Sequence, residues 1–212
     1  ADRPTGSPTR RDLSRSYKTA GVSGADDGSM STISDRYVRV ADRFVALVKG
    51  VPDGAWGNPS PCEEWTARDV VQHVVDNHPY FLRLVGIDPV EAPPVAEDPL
   101  GAIDAVTRQM ASVLADPALA GRTYDGHFGT RTLEWAVDRF LADDLVVHGW
   151  DLARATGGDE SIPPEEVETV MAHSAEWGDA MRGPGAMGPA LDPPPDADAQ
   201  VRLLAHLGRA AW

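Results

Sequence analysis

Leu133-Glu-Trp-Ala-Val-Asp-Arg-Phe-Leu-Ala-Asp-Asp144-Leu-Val-Val-His148-Gly-Trp150-Asp151-Leu152 is the stretch on which the fold turns. Apolar residues recur at Leu133, Ala136, Val137, Phe140, Leu141, Leu145 and Leu152, the spacing of a helix with one face on a core. Asp144 and His148 fall on or beside that stripe, one turn apart and on one face. A carboxylate and an imidazole directed at apolar surroundings are costly unless they pair with each other, a partner or a metal ion. Two readings therefore fit the fragment equally: a pair of metal ligands, or a buried His–Asp pair.

Further helices are expected on either side. The first runs from Ser34, as N-cap, to about Lys49, with a stripe of Tyr37, Val40, Ala41, Phe44 and Val48, and stops at Gly50. A connector rich in Pro and Gly, Trp56 to Trp65, leads to Thr66, which opens a second helix reaching about Val85; Asp69 suits the positive end of its dipole. The acidic, proline-rich segment Gly86 to Pro99 is a crossover loop, and a third helix spans about Leu100 to Ala115. Arg122 to Arg131 reads as a short hairpin or an irregular loop around Asp125-Gly126. The fourth helix covers Thr132 to Ala155, a fifth Pro164 to Met181, and a short helical tail lies near Asp198–Leu207. Long amphipathic helices joined in this way make an all-α four-helix bundle with a crossover connection and short extra C-terminal helical elements.

Composition narrows the function. With 33 Asp+Glu against 19 Lys+Arg the chain carries a formal charge of −14, which repels phosphate backbones and anionic headgroups and argues against nucleic-acid or membrane partners. The single cysteine, Cys62, provides no intrachain disulfide and suits a reducing, cytoplasmic setting. Residues 1–29 read as a disordered leader or extension ahead of a domain over residues 30–212, with Met30 a candidate start. Thr9-Arg-Arg-Asp-Leu13 lacks the apolar region that an export signal needs. Apolar faces on several helices would permit a homodimer.

If the fourth helix supplies two ligands, a third should come from a facing helix; His73 is the best placed, although a lone histidine at the edge of a helix stripe is more often a hydrogen-bonded core or boundary residue. His73, Asn77, Tyr80 and Leu84 form one ridge of the second helix. Two imidazoles and a carboxylate suit a divalent transition ion and leave coordination open for water or substrate. Asp151, one turn beyond His148, is placed to accept a hydrogen bond from a ligand imidazole, with an ordinary salt bridge as the alternative. Asn77, Tyr80 and Trp150 are candidates for pocket lining. His78 reads as structural or exposed, His173 and His206 as surface residues, and Asp76 and Asp143 as solvated or capping. Glu63 and Glu64 beside Cys62 raise a thiol pKa, so Cys62 reads as structural and not as a nucleophile. No glycine-rich phosphate loop and no nucleophile elbow is present.

Pro59-Ser-Pro-Cys-Glu-Glu-Trp65-Thr-Ala-Arg-Asp-Val-Val-Gln-His73-Val-Val75 resembles the second-helix signature of the actinobacterial mycothiol-dependent maleylpyruvate isomerase N-terminal domain family, within the DinB/YfiT-like superfamily. Asp144 to Gly157 is similar to its fourth-helix signature, and the tail from Arg182 to Arg209 to its single-domain branch. The resemblance implies a DinB-like bundle holding a divalent metal, zinc foremost and nickel, iron or manganese as alternatives, on His73, Asp144 and His148. The family's isomerase carries Glu at the carboxylate position, one methylene longer than Asp144. The resemblance further implies a metal-dependent transferase or isomerase that joins a small-molecule thiol, mycothiol as co-substrate, to a small electrophile. The alternative is a non-catalytic metal-binding or stress-associated protein on the same scaffold.

Overall fold

The computed structural model describes residues 29–178, 182–183 and 187–212, and all structural statements concern these. The expected leader therefore lies, up to residue 28, outside the described residues. Helix α1 spans Ser29–Gly50, starting five residues before the Ser34 cap expected from sequence. Its inward stripe is the expected one: Tyr37, Val40, Ala41, Phe44 and Val48 are all buried. Helix α2, Ala67–Leu84, begins with a reciprocal capping box in which Thr66 accepts from the Asp69 backbone and Asp69 accepts from the Thr66 backbone. Helix α3, Pro99–Leu114, is capped by Asp98, and the short helix α4 follows at Pro117–Ala120.

Strands β1 (Thr123–Gly126) and β2 (Gly129–Thr132) form an antiparallel hairpin. Its two-residue turn is His127-Phe128 and not Asp125-Gly126. Gly126 faces Gly129, and the Asp125 carboxylate is engaged across the ladder by the Thr130 hydroxyl at 2.6 Å. Gly129 supplies the positive φ, +79°, that this turn requires. The shift seats Phe128 against Trp135 and Phe140, with ring centroids 6.1 and 5.8 Å away.

The fourth long helix is helix α5 (Leu133–Ala136), a π-helical turn (Val137–Ala142) and helix α6 (Asp143–Thr156) in continuous right-handed backbone. The π turn was not foreseen from the apolar spacing. It rotates α6 relative to α5 and, as such turns commonly do, lies beside candidate functional residues. Helix α6 ends where Gly157 adopts φ +74°. Helices α7 (Pro164–Trp177) and α8 (Ala199–His206) trail behind; residues 179–181, at the expected end of the fifth helix, lie outside the described residues.

Helices α1 and α2 each pack against both α3 and α6, so they occupy opposite corners of an all-α four-helix bundle. One hydrogen bond crosses that diagonal through the core. His78 is fully buried and its Nδ1 lies 2.7 Å from the Val74 carbonyl, which can only accept; Nε2 therefore takes the Tyr37 hydroxyl proton, also at 2.7 Å. Burial pushes the His78 pKa down to about 4, against the opposing pull of the Val74 carbonyl and the Asp144 charge. An unfolded histidine titrates near about 6.5, so between these values the unfolded chain binds the extra proton. Stability is thus expected to be full above pH ~6.5 and to decline as the pH falls toward 4. The His78 share of that decline is about 2 kcal/mol between pH 6.5 and 5. Denaturant unfolding at both values should show it, and His78→Asn should remove that part of the slope. A slope unchanged in the variant would contradict the assignment.

Helix α6 is buried on more of its circumference than an amphipathic stripe implies: Leu145 to Ala153 are all buried. Arg36 of α1 explains one side. It donates to Glu166 of α7 at 2.8 Å, to Asp138 in the π turn at 2.7 Å and to Asp143 of α6 at 2.8 Å. His173 of α7 closes the cluster 2.9 Å from Asp143. Expectation fails for both Asp143 and His173, which are buried and paired instead of solvated, because His173 of α7 reaches Asp143 at the start of α6 and Arg36 pairs with the same carboxylate. His206 is half-buried, with its Nε2 enclosed. Among the described residues no helix is long and apolar enough to cross a membrane.

Candidate metal centre

His73, one turn before Asn77 on α2, faces Asp144 and His148 on α6. The His73 Nε2 lies 3.4 Å from Asp144 Oδ2, and His148 Nε2 lies 4.0 Å from Asp144 Oδ1. One donor atom from each of the three residues falls within 4.8 Å of the others. A tetrahedral zinc ion at ~2.05 Å from its ligands holds them about 3.3 Å apart, so the closest pair already matches and the others need a small contraction. The side chains of His73 and Asp144 are 29% and 35% exposed against 9% for His148, which leaves the open side of the cluster toward solvent.

Asn77 tests whether these atoms suit a cation. Its Nδ2, which can only donate, sits 3.0 Å from His73 Nε2 and 2.9 Å from Asp144 Oδ2. Asp144 Oδ2, which as a carboxylate oxygen only accepts, thus already faces an electropositive N–H where a cation would sit. Burial raises the Asp144 pKa, but His73, His148 and Asn77 outweigh it and hold the group below the usual carboxylate range. The ring of Trp65 walls the cluster, 4.9 Å from His73 and 5.8 Å from His148 between centroids.

On its far side His148 is held by Asp151. The Nδ1–Oδ2 distance is 2.9 Å and Asp151 is fully buried, so this is an internal contact and not a surface salt bridge. With Nδ1 committed to Asp151, Nε2 is free to face Asp144.

Cys62, His148 and Asp151 form a second convergent set. Arg209 decides against a metal there: its Nη2 stands 2.9 Å from Asp151 Oδ2 and 3.6 Å from the Cys62 sulfur, so that space already holds a cation. The Cys62 thiol, moreover, is pushed up to about 12 by burial and then by the Asp151 charge, against Arg209. Sequence anticipated an inert thiol, but from Glu63 and Glu64; the causes are burial and the Asp151 carboxylate, 89 positions away, which together outweigh Arg209.

The remaining candidates separate. Asn77 joins the cluster. Tyr80 is 59% exposed, with its ring edge-on to Phe81. Trp150 is buried and borders a cavity of about 100 Å³ beside Val40, Leu47 and Ile162, on another face of α6. Arg209 and Trp65 are the residues that sequence reasoning missed as site components.

Residues 37–153, more than half of the chain, match the family described as mycothiol maleylpyruvate isomerase N-terminal domain. The chain belongs to that family. Proteins from two strains of Mycobacterium tuberculosis, both described as uncharacterized, are 31% identical over 175 residues, covering 81% of this chain and 94% of theirs. No solved structure matches. The matched span includes His73, Asp144, His148 and Asp151 but ends before Arg209.

Proposed function

We propose that this protein is a metal-dependent thiol transferase or isomerase in which His73, Asp144 and His148 hold a divalent ion, zinc first, and in which a small-molecule thiol attacks a small electrophile. The family is one of mycothiol chemistry, and mycothiol is the co-substrate this reading names. The observation that carries it is the convergence of three donor atoms within 4.8 Å on the solvent side of the bundle.

A bound zinc supplies the positive charge that turns a thiol with a pKa near ~8.5 into a thiolate at neutral pH. The residues of the chain do the rest. Asp151 fixes the ring orientation of His148, and Asn77 steadies His73 and Asp144 from one side. Trp65 packs its ring against the two imidazoles on one side. The chain offers no competing sulfur nucleophile, since its one cysteine is held protonated. The thiol must therefore arrive from outside, which is the chemistry of a co-substrate and fits a reducing cytoplasm.

Incubating zinc-loaded protein with mycothiol and a panel of small electrophiles, maleylpyruvate among them, tests the reading. Thiol consumption should exceed the uncatalysed rate, vanish on metal removal and return when zinc is restored. Zinc uptake without turnover on any panel member would overturn the enzymatic reading in favour of a non-catalytic metal-binding protein.

A further inference from the structure

Arg209 lies outside the matched domain yet reaches its centre. Helix α8 ends in a double-bonded chain reversal: the Arg209 N–H donates to the Leu204 carbonyl at 2.7 Å and the Gly208 N–H to the Ala205 carbonyl at 3.0 Å. Gly208 sits at φ +84°, where a Cβ would stand 3.1 Å from the Pro189 carbonyl oxygen, so the position demands glycine twice over. The reversal turns Arg209 back onto α6. There its Nη2 and Nε meet the two oxygens of Asp151 at 2.9 and 3.3 Å, while Nη1 is anchored on the Leu207 carbonyl at 2.8 Å. This is a two-point fork, which fixes the plane of a carboxylate as a point charge does not.

We propose that Arg209 is a positioning residue for the candidate metal centre: it locks the buried Asp151 carboxylate, and through it the His148 ring, so that the C-terminal segment completes a site whose ligands all lie in α2 and α6. The inference rests on the metal reading above. Asp151 Oδ2 receives His148 Nδ1, Arg209 Nη2 and the Cys62 thiol together. Without Arg209 the carboxylate keeps only the His148 and Cys62 contacts, loses its fixed plane, and the imidazole it holds is free to rotate or change tautomer.

The test is zinc affinity by competition with a chromogenic chelator. Arg209→Gln should bind about tenfold more weakly or worse, the range found for residues that orient ligands, and Arg209→Lys should recover part of the loss. In an Asp151→Asn background Arg209→Gln should add little, because the two act as one unit. An Arg209→Gln affinity equal to wild type, or a full loss in both backgrounds, overturns the proposal. A second readout needs no metal. Nitrogen-15 imidazole spectra of metal-free protein should show His148 protonated at Nδ1 in the wild type and a tautomer mixture in Arg209→Gln. An identical tautomer in both overturns the proposal even if zinc uptake is normal, whereas an absence of zinc uptake by the wild type with the expected spectra overturns the metal reading alone.

Discussion

His148→Ala is expected to lower zinc affinity by more than ~100-fold, so that protein purified without chelator retains under about a tenth of an equivalent. The argument is one of donors. The proposed site has three donor atoms, and removing the most buried one leaves His73 and Asp144 on a partly exposed edge. Loss of an outer partner alone typically costs 10–100-fold, and loss of a ligand costs more. The variant should still fold, because Asp151 keeps its fork from Arg209. His73→Ala should behave likewise, while Cys62→Ser should retain metal. Elemental analysis with far-ultraviolet circular dichroism measures both points. Unchanged metal content in His148→Ala would remove it from the ligand set.

Arg36→Met is expected to cost about 3–5 kcal/mol of stability, the largest single effect on folding. Arg36 has a side chain only 9% exposed and binds three carboxylates, those of Asp138, Asp143 and Glu166, from the π turn, α6 and α7. Burial disfavours its charge, but Asp143 and the other acids outweigh it and keep the guanidinium firmly protonated. Methionine fills much of the same volume yet leaves Asp138 and Asp143 with His173, and Glu166 with the exposed Arg39 at 3.9 Å, as charged partners. Two of the three are nearly buried, at 8% and 5% side-chain exposure, so water cannot take over. Denaturant unfolding at pH 7 measures the loss. A change under ~1 kcal/mol would show that the cluster contributes little. Because Asp143 adjoins Asp144, the same variant should also loosen the start of α6 and weaken zinc binding.

What could be read from the sequence follows from the range of the interactions. His73, Asp144 and His148 were legible because helical spacing places each on an inward edge of its own helix, and four-helix packing brings such edges together. Asp151 was legible for the same local reason, three residues from His148. Arg36 and Arg209 were not. Each meets carboxylates more than fifty positions away, through helix α7 or a tight reversal after α8, and no local periodicity records such pairings. His173 and Asp143 were misread together, since each is polar on its own helix and its burial is offset by contacts between elements, with each other and with Arg36 and Asp138. The π turn was hidden because the apolar stripe before it (Leu133, Ala136) and after it (Leu145, Leu152) is regular on each side. The hairpin turn slipped by two residues because packing of Phe128 on Phe140 outweighed the local preference of Asp125-Gly126.

The central claim, that the chain holds its metal on His73, Asp144 and His148, is tested most directly by X-ray absorption at the zinc edge of the loaded protein. The prediction is a shell of nitrogen and oxygen neighbours at ~2.0–2.2 Å with the outer scattering of two imidazoles. A sulfur neighbour at ~2.3 Å would place the ion with Cys62 instead, and a chain that retains no zinc would contradict the claim outright.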